Sequence, residues 1–207
     1  MFYTSNMKKN YIIVGLGNPG DEYVETRHNI GRMVLDSFIK VNKFKDWQED
    51  KKLKSLITEG KIDGNKAMLL KPETFMNKSG EAVKSLVKSK KVAETLVVIH
   101  DDLDLPLGKV KISFNKSSGG HRGVESIIKA VKTEAFIRLR LGISGETAGG
   151  KIKKPQGDEK VIDTILGEFK NSEKDELKKV IKKSVSALEM IISTGWEKAA
   201  SLLGTLK

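Results

Sequence analysis

The sequence predicts a single α/β domain in which a twisted mixed β-sheet is flanked by helices on both faces. Three observations carry that expectation. Short β-branched runs at 11–14 and 96–100 alternate with stretches whose apolar residues recur at helical spacing. One hairpin signal, Asp63-Gly64, interrupts the alternation and calls for antiparallel strands in an otherwise parallel arrangement. The length, 207 residues with 38% hydrophobic and 31% charged, suits one domain able to bury a substantial core.

Taken in order, Tyr11-Ile12-Ile13-Val14 reads as a buried strand and the glycine-rich stretch 15–20 as a loop. Ile30, Met33, Val34, Phe38 and Val41 give a helix over 29–41. Residues 52–59 and 65–70 pair as strands around the Asp63-Gly64 turn, and 81–90 reads as a further helix. A buried strand at 96–100 and an alternating strand at 109–114 follow, then a helix at 123–132 and a strand at 137–143. Four glycines, several lysines and Pro155 make 144–160 a mobile loop. Ser172-Glu173-Lys174-Asp175 is a helix start, and the stripe Leu177, Val180, Ile181, Val185, Leu188, Ile191 and Ile192 makes an amphipathic helix. A last short helix completes the C-terminal helices at 172–204. Residues 1–9 read as a flexible extension, in which Met7 is a second plausible start.

Cysteine is absent, which excludes disulfides, thiolate nucleophiles and Cys-ligated zinc. No apolar run could span a bilayer, and the start lacks a signal-peptide core; a cytoplasmic, monomeric protein without membrane attachment is expected. The net charge of +11 favours a polyanionic partner, although a lysine-rich proteome gives the same number.

Gly15, Gly17 and Gly20 match Gly-x-Gly-x-x-Gly, but Pro19 and Asp21-Glu22 stand where a pyrophosphate would need a helix start, so the glycines serve to turn the chain and present Asn18. His100-Asp101-Asp102 resembles the pair of metal-dependent phosphohydrolases, which carry it on a helix, whereas Val97-Val98-Ile99 argues for a strand; this metal-bound reading stays open as an alternative. No Gly-x-Ser-x-Gly elbow occurs. A hydrolase without cysteine or activated serine would use water, which requires a base, an orienting carboxylate and oxyanion donors. The loops offer His28, Asp101, and the amides of Asn18 and Asn77 for these tasks.

Five stretches, in order, carry a resemblance. They are Gly15-Leu16-Gly17-Asn18-Pro19-Gly20 with Tyr23 and Thr26-Arg27-His28-Asn29-Ile30-Gly31; Lys71-Pro72-Glu73-Thr74-Phe75-Met76-Asn77; His100-Asp101-Asp102-Leu103-Asp104-Leu105-Pro106; Ser118-Gly119-Gly120-His121-Arg122-Gly123; and Arg138-Leu139-Arg140-Leu141-Gly142-Ile143. Over roughly 10–170 the chain resembles bacterial-type peptidyl-tRNA hydrolases. The resemblance implies a metal-free esterase without cofactor that cleaves N-blocked aminoacyl groups from the 3′ end of tRNA. It implies His28 as base, Asp101 as its partner, and Asn18 and Asn77 as holders of peptide, water or oxyanion. Tyr23, Phe75 and Met76 would line the pocket, Gly120 and His121 frame the cleft, and Lys111 and Arg140 meet the tRNA acceptor stem. Arg122 stands where the family commonly has asparagine, and its forked cationic head suits phosphate or the terminal adenosine. A non-catalytic RNA-binding paralogue is the other alternative.

Overall fold

The structure, a computed structural model, describes residues 8–206. Its centre is four parallel strands in spatial order β4 (Asn65–Pro72), β1 (Asn10–Gly15), β5 (Leu96–Pro106) and β7 (Ile137–Glu146). Antiparallel strands extend both edges: β3 (Ser55–Ile62) and β2 (Gln48–Asp50) beyond β4, and β6 (Val110–Phe114) beyond β7, with the short β8 (Ile152–Lys153) also pairing with β7. From β1 the chain crosses to β4 on one side and then returns to β5 on the other. The crevice beyond the carboxyl ends of β1 and β5 is therefore the switch point at which sheets of this kind bind ligands.

Side chains alternate between two cores, as parallel strands buried on both faces require. Ile13, Leu69, Val97, Ile99 and Leu139 pack under α1 (Ile30–Val41), α5 (Lys174–Thr194) and α6 (Trp196–Leu202). Val14, Leu70, Leu96 and Val98 pack on the opposite face under the 3-10 segment Met76–Ala82, the one-turn α2 (Lys90–Ala93) and α3 (Arg122–Val131). The mixed three-layer α/β fold expected from the sequence is the one observed. Among the described residues no helix is long and apolar enough to cross a membrane.

Three local expectations are corrected, and a fourth falls largely outside the described residues. Residues 81–90 do not form a helix: the 3-10 segment ends at Ala82, turns closed at Gly80 and Val83 follow, and Ser89 caps α2 only afterwards. Packing decides this, because Gly80 lies hard against the backbone of α3 and Ala82, Val83 and Val87 are buried beside it, so tertiary contact overrides a weak helical preference. The loop expected at 144–160 holds the end of β7, a hairpin turn closed by Thr147 and Lys151, strand β8, and the start of α4 (Asp158–Leu166), whose acidic first turn suits the helix dipole. Strand β5 continues to Pro106, beyond the predicted end. Of the expected extension at 1–9, residues 1–7 lie outside the described residues, and Lys9 donates its N–H to Asn65 Oδ1 at 2.9 Å.

The first turn of α1 rests directly on strand backbone. A Cβ on Gly31 would stand 2.5 Å from the Ile99 carbonyl oxygen and 2.7 Å from that of Leu16; one on Gly15 would stand 2.5 Å from the Gly31 carbonyl oxygen. Residue 28, three before Gly31, is thereby brought beside residue 101, two after Ile99. Gly31→Ala is expected to destabilise the fold by about 1–3 kcal/mol, the usual cost of overpacking, as read by urea unfolding.

Candidate active site

His28 lies in a single 3-10 turn, Arg27–Asn29, that runs into α1. Both neighbours anchor it. Arg27 pairs with Glu173 at 2.5 Å, reaches the Ile143 carbonyl at 3.3 Å, and lies over the Phe169 ring at 4.7 Å. Asn29 clasps the first loop in both directions: its Oδ1 accepts the Asn18 N–H at 2.8 Å and its Nδ2 donates to the Asn18 carbonyl at 2.9 Å. These bonds fix the turn and bind the Asn18 loop to it.

The His28 Nδ1 lies 2.8 Å from Asp101 Oδ1, and the His121 Nε2 lies 2.9 Å from the same oxygen. His121 is the N-cap of α3, where its Nδ1 accepts the N–H groups of Gly123 at 3.1 Å and Val124 at 3.3 Å. Asp101 is 3% exposed and His28 6%. Burial pushes the Asp101 carboxyl up, but the charge and hydrogen bonds of His28 and His121 more than offset it and hold the carboxyl well below the usual carboxylate range. An ionised Asp101 accepts from His28 Nδ1–H, which leaves His28 Nε2 with its lone pair free for a proton.

Asn18 Oδ1 accepts the Met76 N–H at 2.9 Å. Only an oxygen can accept there, so the Nδ2 end is the one left over, and it makes no hydrogen bond among the described residues. Met76 is buried, whereas Phe75 is 59% exposed and meets the Tyr23 ring edge-on at 6.5 Å. Asn77 is exposed and makes no hydrogen bond to His28, Asp101 or Asn18. Gly120 takes a positive φ of 84 in the turn before α3, and Arg122 is exposed at its first position. Lys111 and Arg140 stand opposite each other across the β6–β7 ladder; Arg140 Nε donates to Asp102 Oδ2 at 2.6 Å, while Lys111 is exposed and makes no ion pair among the described residues. The structure thus unites His28, Asp101 and His121, joins Asn18 to Met76, and leaves Asn77, Phe75, Arg122 and Lys111 on the surface.

His28, Asp101 and His121 place three ligand-type atoms within 4.8 Å of one another. As it stands the set suits a cation poorly. A metal on His121 Nε2 would require a proton on Nδ1, and Nδ1 faces two N–H donors. His100, which the metal-bound alternative needs, lies on a strand, is 1% exposed, and donates Nδ1–H to the Asp101 carbonyl at 2.7 Å.

The pattern that describes the peptidyl-tRNA hydrolase family matches residues 12–207 of the chain. The chain belongs to the peptidyl-tRNA hydrolase family. It is 45% identical to the peptidyl-tRNA hydrolase of Thermoanaerobacter sp. (strain X514), over 92% of this chain and 97% of that one. The Aquifex aeolicus peptidyl-tRNA hydrolase is 42% identical, over 91% and 93%. The crystal structure of the Acinetobacter baumannii peptidyl-tRNA hydrolase superposes with a TM-score of 0.83 at 29% identity, covering 98% of each chain.

In this family member, sequence reading did not find three supports of the site: Arg27, Asn29, and the contact of His121 with Asp101. Arg27 and Asn29 flank His28 within one motif, which is the signal that could have found them. His100 gives a measurable signature. Burial, and then the like charge of His121, lower its pKa well below the ordinary 6.5. The unfolded chain therefore takes up a proton that the folded chain refuses, and stability falls as pH drops from about 6.5 downward. In His100→Asn the side-chain amide can still donate to the Asp101 carbonyl. That variant is expected to lose less thermal stability than wild type between about pH 7 and 5, as followed by calorimetry.

Proposed function

We propose that this chain hydrolyses the ester between the C-terminal carboxyl of a peptide and the ribose of tRNA, and releases free tRNA. The observation that carries the reading is the free Nε2 of His28, backed by an ionised Asp101, beside a loop whose Asn18 points a spare amide donor. Membership of the family supplies the substrate class.

In the mechanism, His28 Nε2 takes a proton from water as the water oxygen attacks the ester carbonyl. Asp101 holds the ring by Nδ1–H and stabilises the imidazolium that forms. Asn18 Nδ2 donates to the oxygen as it becomes negative. The carbon–ribose oxygen bond then breaks, and the imidazolium returns its proton to the leaving ribose oxygen. Asn77, one residue beyond Met76, is offered to the blocked amine, and Tyr23 and Phe75 to the residue next to the ester. His121 and Gly120 border the cleft, and Lys111, Arg122, Arg140 and the net charge of +11 grip phosphates of the acceptor stem without reading bases. The protein acts in this reading as a cytoplasmic monomer and needs no metal for the chemical step.

The deciding experiment is release of N-acetylated amino acid from N-acetyl-aminoacyl-tRNA. Wild type is expected to turn over, and His28→Ala to lose roughly 10²–10⁴-fold in rate while still binding tRNA. Tight tRNA binding without turnover by wild type would instead favour the RNA-binding paralogue. Asn18→Ala should lower kcat by about 10²-fold, the usual loss for one oxyanion donor. Hydrolysis of a minimal ester, an N-acetyl-aminoacyl adenosine, should be unaffected by EDTA and little changed by salt. Binding of tRNA should weaken steeply from 50 to about 200 mM salt.

A further inference from the structure

We propose that His121 is a positioning residue for hydrolysis: it fastens the Asp101 carboxylate to the N-terminus of α3 and thereby fixes the orientation of the His28 ring. The inference deepens the reading above and rests on His28 as base. Its physical basis is the proton inventory of one ring. The N–H groups of Gly123 and Val124 can only donate, so His121 Nδ1, which receives both, carries a lone pair. The ring's proton is then on Nε2, which donates it to Asp101 Oδ1. The same oxygen takes Nδ1–H of His28. The two histidines are therefore held as opposite tautomers: that of His121 by the amides of the helix, that of His28 by the ionised carboxylate, which only accepts and which His121 holds in place.

The surroundings enforce this arrangement. Gly119 and Gly120, with φ of 63 and 84, turn the chain so that residue 121 becomes the cap. The His121 ring lies between His28, with centroids 5.0 Å apart, and His100, with centroids 4.8 Å apart. Asp101 carries no other side-chain hydrogen bond among the described residues, so removal of His121 leaves its carboxylate with a single donor and freedom to swing about its last torsion. The loss appears in the rate of proton transfer, because His28 Nε2 is then no longer aimed, rather than in affinity for the substrate.

His121→Asn separates the two duties of the residue. Asparagine is among the best helix caps, but its side chain is too short to reach Asp101 while capping. With N-acetyl-aminoacyl-tRNA as substrate, kcat is expected to fall about tenfold or more, the worth of one hydrogen bond to a charged group, with KM within about twofold and thermal unfolding near that of wild type. A folded variant with wild-type kcat, or with a change confined to KM, would overturn the proposal. NMR of wild-type protein carrying 15N-labelled histidine tests it independently of any variant: His121 should be protonated at Nε2 and His28 at Nδ1, and a protonated Nδ1 on His121 would refute the assignment even if the variant failed to fold. Absence of hydrolysis by wild type would instead count against the His28 reading, with the tautomer measurement still deciding the role of His121.

Discussion

Asp101 Oδ1 receives two imidazole N–H groups, and this shared acceptor organises the molecule around it. A carboxylate at 3% exposure would ordinarily be driven to its neutral form by desolvation. Here two donors, delivered by different secondary-structure elements, keep it ionised. Each donor is in turn fixed by backbone: His28 through the turn that leads into α1, and His121 through the amides that open α3. Helices from opposite faces of the sheet thus meet at one oxygen midway along β5.

That meeting point depends on close approach elsewhere. Gly15 and Gly31 allow α1 to lie against the backbone of β1 and β5. Arg27 carries the same turn to α5 through Glu173 and to β7 through the Ile143 carbonyl. Asn29 and Met76 then hold the two ends of Asn18, so that the loops after β1 and β4 behave as one unit. The buried polar groups of this region are mostly satisfied by backbone, the arrangement that favours rigidity over adaptability.

Much of this was legible in the sequence because it is local. Alternating periodicities gave the α/β class, and Asp63-Gly64 takes positive φ at both residues, 46 and 80, as its hairpin requires. The pairing of residues 28 and 101 came from the resemblance, since no spacing rule brings them together across 73 positions. What stayed hidden was tertiary. The helix expected at 81–90 gives way because α3 presses on Gly80, and α4 was obscured by the glycines and lysines before it. The His121 contact with Asp101 could not be read either, because a cap and a carboxylate partner are both ordinary fates for a histidine, and only geometry shows one ring doing both.

Helix α4 buries none of its residues, and Ile162 and Leu166 remain partly open to water. Its attachment is chiefly at its C-terminal end, where Gly167 offers its carbonyl to Arg27 and Glu168 bridges to Thr26. A segment with so little apolar area to lose can detach at small free-energy cost while the sheet and its two cores stay folded. The molecule is therefore uneven in stability: a thinly held helix is joined to a firmly held sheet with its two cores.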